Sequence, residues 1–143
     1  VSFLDMAENH KMIVENSGLL TVAALKHLDV KNKKLVAILS GGNMDVITMS
    51  SVVQQGLVMR DRIFSVSVLL PDKPGELSRV ADVIAKQSGN VIKLEHNQFV
   101  SINRNAAVEL RITMEAYGTE HKNQIIEALQ KNGYQPKMIR ASI

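Results

Sequence analysis

Two hydrophobic patterns divide this chain. Up to about residue 60 the apolar positions recur at helical spacing or run together; beyond it they alternate with polar ones. Residues 3–14 mix polar and apolar positions in a way that predicts a helix. Asn16 or Ser17 can cap a second one, along which Leu19, Leu20, Ala23, Ala24 and Leu28 fall at helical spacing. Leu35-Val36-Ala37-Ile38-Leu39 follows as an unbroken apolar run. A strand without a polar face is expected to be buried on both sides, as in a parallel sheet covered by helices. Ser40-Gly41-Gly42-Asn43 ends it, and residues 44–59 predict a third helix. Such a strand has no partner strand in this segment, and unpaired backbone groups in a buried strand are costly. Residues 1–60 therefore read as the last αβα stretch of a larger doubly wound α/β domain.

The second pattern begins near residues 59–62. Phe64, Val66 and Val68 alternate with Ser65 and Ser67, which predicts a half-buried strand. Pro71-Asp72-Lys73-Pro74-Gly75 makes a turn, with Pro74 suited to the first turn of a helix. In that helix Leu77, Val80, Ala81, Ile84 and Ala85 form one apolar stripe, stopped by Ser88-Gly89-Asn90. A second strand sets Ile92, Leu94 and His96 on one side and Lys93, Glu95 and Asn97 on the other. A turn at Asn103-Arg104-Asn105 leads to a third strand, residues 107–114. Gly118-Thr119 opens a helix with Ile125, Ile126 and Leu129 inward, ended by Asn132-Gly133, and residues 135–141 predict a short fourth strand. The order is βαββαβ, so the fold class is α+β, a ferredoxin-like domain over residues 61–143 preceded by the αβα remnant.

Composition narrows the functions open to this chain. Its 143 residues suffice for one ordinary domain or two small ones. Seven Met against three Phe, two Tyr and no Trp predict an aliphatic, adaptable core. Cysteine is absent, which removes disulfides and thiolate metal sites and fits a reducing, cytoplasmic setting. No apolar run is long enough to span a bilayer, so no membrane partner is expected. Val1-Ser2-Phe3-Leu4-Asp5 has neither part of a signal peptide and no initiator Met, as expected of a piece of a longer chain. The net charge of +3 is dispersed, with Lys31, Lys33 and Lys34 in a polar turn, and the few aromatics leave little to stack on bases. No nucleic-acid partner is expected.

Two loops can carry chemistry. At Asp72-Lys73-Pro74-Gly75-Glu76-Leu77 a glycine lets backbone approach a ligand, amides at a helix start favour a carboxylate, and Asp72 could take an amino group. A plain Pro/Gly turn explains the same spacing. Ser40-Gly41-Gly42-Asn43, after an apolar strand and before a helix, lies where open α/β sheets bind ligands. It matches neither the Walker nor the dinucleotide pattern, and an ordinary strand-to-helix turn accounts for it equally well. His10, His27, His96 and His121 have no metal-ligand spacing, so no metal site is expected. No nucleophile and base pair emerges, and no catalytic residue is nominated.

Read together, the two loops carry a resemblance. Residues 62–141, with Asp72-Lys73-Pro74-Gly75-Glu76-Leu77 at the first strand–helix junction, resemble an ACT domain, a small amino-acid-binding regulatory module. Residues 1–60, with Glu15-Asn16-Ser17-Gly18 and Lys34 to Asn43, resemble the end of the catalytic domain of threonine and serine dehydratases, pyridoxal-phosphate enzymes of fold type II. The two in this order resemble threonine dehydratases of the ACT-containing, catabolic-like type. That resemblance implies a cofactor role for Ser40, whose hydroxyl would meet the pyridine nitrogen. Gly41, Gly42 and Asn43 would shape the wall beside the ring, with Glu15 nearby. It implies an effector site of Asp72, Pro74, Gly75, Glu76 and Leu77, faced by Asn90, Val91 and Ile92 of a neighbouring copy. Isoleucine or valine would be the effector, and sheets would join edge to edge in a homo-oligomer; an ACT-like module that serves only assembly is the alternative. The family's cofactor-holding lysine and its glycine-rich phosphate cup have no counterpart in this sequence, so the chain alone is expected to be inactive.

Overall fold

A computed structural model of the chain describes residues 1–97 and 107–141. The turn expected at Asn103-Arg104-Asn105 lies outside the described residues. The chain divides into two compact units, Val1–Met59 and Arg60–Ile143.

In the first unit α1 (Ser2–Asp5) runs into one π-helical turn (Met6–His10). Lys11 then adopts the left-handed conformation at φ 57°. A lysine gains nothing there and cannot continue a right-handed helix, so the helix expected through residue 14 stops early. The second expected helix shortens to α2 (Leu20–Leu25), and α3 (Val46–Met59) starts after Asp45. The Asp45 side chain accepts the Thr48 N–H at 2.9 Å, satisfying one of the free amides of the first turn. The bonds from Thr48 also hold the Asp45 carboxyl below its ordinary pKa. A small core of Phe3, Met6, Val14 and Leu19 is flanked by Leu39, Met44, Met49, Val52 and Val53.

The buried strand expected at residues 35–39 is not there. These residues have no regular secondary structure, and Val36 and Ile38 are 91% and 73% exposed. Only Leu39 packs against the small core, while the Ile38 carbonyl accepts a bond from the Thr21 hydroxyl at 2.9 Å. The physical reason is the one that made the strand awkward in the sequence. No strand among the described residues of this unit can pair with it, and an isolated strand cannot satisfy its own amides.

The second unit holds β1 (Ile63–Pro71), α4 (Glu76–Lys86), β2 (Asn90–Asn97), β3 (Ala107–Glu115), α5 (Thr119–Lys131) and β4 (Lys137–Ile139). The strands form one sheet in the order β2-β3-β1-β4, with every neighbouring pair antiparallel. This α+β arrangement is compatible with a ferredoxin-like fold. Phe64, Val66, Val68 and Leu70 of β1 join Leu110, Ile112 and Met114 of β3 in the core, under Val80 and Ile84 of α4 and Ile125 and Leu129 of α5. The strict alternation of β1 and β3 thus becomes one helix-covered face and one open face.

Strand β2 departs from simple alternation. Its register with β3 shifts between Val91 and Lys93, so Val91 pairs with Met114 and packs on the core, whereas Ile92 is 41% exposed. The expectation that Ile92, Leu94 and His96 share one side holds only from Leu94 onward, because the bulge inserts one residue and breaks the alternation at Ile92. The open face differs from a solvated surface too. Ser65 and Thr113 are 1% and 4% exposed and hydrogen-bond each other at 2.7 Å. Among the described residues no helix is long and apolar enough to cross a membrane.

Candidate functional sites

In the first unit two distant sequence segments meet. The Glu15 N–H donates to the Gly41 carbonyl at 3.3 Å, and the Ser17 hydroxyl donates to Glu15 Oε1 at 2.6 Å. Gly41 has φ 77°, a conformation that suits glycine, and a side chain on it would overlap the Glu15 carboxylate. Gly18 is buried, and a side chain there would run into the Ser40 carbonyl. A side chain on Gly42 would meet the Ile13 carbonyl at about ordinary contact distance. Glu15, Ser40, Gly41 and Gly42 are therefore neighbours, on a wall made largely of main chain. Ser40 and Asn43 are exposed beside it. Sequence reasoning passed over Ser17 and Gly18 as site residues, although both stand in the same short Glu15-Asn16-Ser17-Gly18 string.

The second unit places its candidates in two groups. Asp72, Pro74 and Gly75 are exposed in the loop between β1 and α4, where Gly75 is left-handed at φ 90° with open space around the position a side chain would take. Glu76 opens α4 and binds Arg79 at 2.9 Å. This pair follows from the i,i+3 spacing, which sequence reasoning did not use. Leu77 is 41% exposed on the same turn. Tyr134 lies near this ion pair, and burial pushes its hydroxyl above the ordinary tyrosine pKa, with Glu76 adding to the effect.

The other group sits at the far end of the sheet. Asn90 pairs with Glu115, which pairs with Ile63 at the start of β1, whereas the loop follows Pro71 at its end. Eight residue steps along β1 separate the two levels, roughly 26 Å at about 3.3 Å per residue. Within one chain the loop and Asn90, Val91 and Ile92 are not brought together. Asn90 donates to the Glu115 carboxylate at 2.7 Å and Val91 turns into the core, leaving Ile92 on the bulge as the outward-facing member.

Two ion-pair centres stiffen this unit. Asp61 accepts from Lys122 and from the Thr119 hydroxyl, both at 2.7 Å, and the Lys122 bond is the chief cause of its lowered pKa. On the open face Ser67 donates to Glu109 at 2.6 Å, the main reason that this carboxyl too lies low, with Arg111 adding a bond at 3.1 Å.

No family model matches the chain. It is similar to L-threonine ammonia-lyase of Geobacter sulfurreducens, 36% identical over 94% of this chain and 34% of that protein. The enzyme of the same name from Thermotoga maritima is 29% identical over 96% of this chain and 35% of that protein. A biosynthetic L-threonine dehydratase of Pasteurella multocida is 30% identical over 91% of this chain and 25% of its own length. A solved structure of an unknown protein from Galdieria sulphuraria aligns at a TM-score of 0.40 and 16% identity, covering 90% of this chain and 94% of its own. The chain thus spans about a third of the length of the first two relatives, both of them lyases by name. Over nearly its whole length the chain corresponds to one segment of enzymes named L-threonine ammonia-lyase or L-threonine dehydratase.

Proposed function

We propose that this chain is the amino-acid-sensing part of a pyridoxal-phosphate-dependent L-threonine ammonia-lyase, an enzyme of the cytoplasm that converts L-threonine to 2-oxobutanoate and ammonia. The observation that carries the reading is the pairing of two features on one chain. One is the main-chain wall where Glu15 meets Gly41; the other is an antiparallel βαββαβ unit with an exposed, glycine-centred loop after its first strand. The first unit is read as the remnant of the catalytic domain. Its exposed Leu35, Val36 and Ile38 are what a missing sheet would cover.

The residues present fit part of a cofactor pocket. A methyl group at Gly18 would meet the Ser40 carbonyl and one at Gly41 the Glu15 side chain, so glycine at both positions is what lets the two segments that carry Ser40 and Glu15 pack together. Pyridoxal phosphate, when bound, supplies the electron sink for elimination from a hydroxy amino acid. Ser40 would offer a neutral hydroxyl to the ring nitrogen and so would not hold it protonated. Gly41, Gly42 and Asn43 would shape the wall, and Glu15, fixed by Ser17, would stand beside it. The lysine and the phosphate-binding glycines of the family are not matched by this sequence, so this segment alone is inactive in the proposal.

For the sensor, Asp72, Pro74, Gly75, Glu76 and Leu77 form one half of an effector site and Ile92, with Asn90 and Val91, the other. Because the two halves lie at opposite ends of the sheet, a neighbouring chain would supply the second half. The ligand is a branched aliphatic amino acid, isoleucine or valine. It regulates by favouring one arrangement of paired chains. Calorimetric titration of the chain with each of the twenty amino acids tests this. A branched aliphatic amino acid should bind, and Gly75→Asp should abolish the heat by placing a carboxylate and a side chain at a left-handed position. Silence with all twenty would sink the sensor.

A second reading is favoured by the outer position of β2 in the sheet: the unit acts only to join subunits through that edge. In that case Gly75→Asp changes nothing measurable, while removal of residues 62–143 changes the oligomer size of the full-length enzyme.

A further inference from the structure

The open face of the sheet carries a trough that the sensor reading does not use. Lys93 of β2, Thr113 of β3, Ser65 of β1 and Ile139 of β4 form one continuous cross-strand row. The two central strands contribute short hydroxyl side chains and the two edge strands longer ones, so the row dips in the middle. The result is a concavity of about 240 Å³. Its floor is the Ser65–Thr113 hydroxyl pair, nearly inaccessible and bonded at 2.7 Å. Whichever hydroxyl accepts in that bond keeps its own proton for a further acceptor.

Cations reach the trough from three sides. Lys93 stands at the β2 edge, Arg111 comes from the next row of β3, and Arg140 follows the last residue of β4. Glu95 is the acidic residue of the lining, and it engages Lys93 at 2.9 Å. Arg111 reaches Glu109 through Nε, a bond that occupies one corner of its guanidinium fork. Both ion pairs are between side chains well exposed on at least one partner, and such pairs are weak and readily exchanged.

We propose that this trough binds a small tetrahedral oxyanion, inorganic phosphate or the phosphate of a monoester. Donors on opposite edges, a guanidinium from the adjoining row and a hydroxyl below match several oxygens pointing in different directions. A planar carboxylate would be satisfied by one arginine fork alone. Glu95 acts as an internal competitor that occupies Lys93 until the anion displaces it.

Nitrogen-edited NMR of the chain, titrated with inorganic phosphate at constant ionic strength, tests the proposal. Saturable shifts should centre on residues 65, 93, 113 and 139–140, and acetate should not reproduce them. Arg111→Gln and Arg140→Gln should each weaken phosphate binding roughly two- to fivefold, as loss of an exposed ion pair implies. Glu95→Gln should tighten it by about threefold or more, an effect that a merely structural carboxylate would not give. Arg140 lies outside the strand ladder, so its variant remains informative should Arg111→Gln unfold. Shifts spread over Lys31, Lys33, Lys34 and Lys73, equal shifts with acetate, no saturable shift, or weaker binding in Glu95→Gln would each overturn the site.

Discussion

Glu15 and Gly41 are joined backbone to backbone, and the glycine leaves no space for a side chain beside the carboxylate it faces. The same junction presses Gly18 against the Ser40 carbonyl, and Gly18→Ala would drive a side chain into main chain that cannot swing aside, costing about 2–4 kcal/mol. Gly75→Ala, left-handed but with open space around it, should cost only about 1 kcal/mol. Urea unfolding followed by circular dichroism checks the ranking. Both tyrosines, Tyr117 and Tyr134, lie in Arg60–Ile143, so their fluorescence reports that unit separately. Equal losses for the two variants would remove the clash.

The Asp61 carboxyl lies below its ordinary value of 3.8 because Lys122 and Thr119 bond to its ionised form. A lowered folded-state pKa contributes stability above the unfolded value and loses it as pH falls through the folded one. Asp61→Asn should thus destabilise by about 1 kcal/mol at neutral pH. The difference from the parent chain should shrink below about pH 4. Melting temperatures across pH 2–7 would show convergence at the acid end; a constant gap would contradict the assignment.

Ser67 is the largest influence on Glu109. Carbon-detected titration of the Glu109 side chain should give a midpoint below that of an ordinary glutamate. Ser67→Ala should move the midpoint upward, toward the ordinary value, because a bond to the ionised form is lost. Arg111→Gln should move it upward as well, since a bond and a nearby charge are both lost. An unchanged midpoint in Ser67→Ala would contradict the assignment.

Leu129 is fully buried beneath the sheet, whereas Val36 is almost fully exposed. Leu129→Ala should cost about 2–5 kcal/mol. Val36→Ser should stay within about 0.5 kcal/mol in this chain, as surface changes do. Denaturant midpoints decide the matter. A large loss at Val36 would mean that residues 35–39 are buried after all, as their composition first implied.

The sheet was legible because strands of one buried and one open face leave a period-two record, as in Phe64, Val66 and Val68 set against Ser65 and Ser67. The glycine stops of α4 and α5 were equally plain. What escaped depended on partners. Residues 35–39 have strand composition, yet composition cannot provide a neighbouring strand. The bulge at Val91–Lys93 inserts one residue into an otherwise regular alternation, and nothing in the side chains there announces it. The meeting of Glu15 with Gly41 was anticipated only through resemblance, since no local pattern links segments so far apart. The Glu76–Arg79 pair lay in plain sight at helical spacing. The oxyanion trough needed the register of all four strands before its residues became a group.

The register that puts Pro71 and Asn90 at opposite ends of the sheet has a thermodynamic corollary. A ligand that must touch both ends cannot be held by one molecule of the chain, so its apparent affinity follows protein concentration as well as its own. Dilution would then mute the response even at saturating effector, and effector would in turn drive association. In such an arrangement the count of chains in the assembly is itself part of the signal.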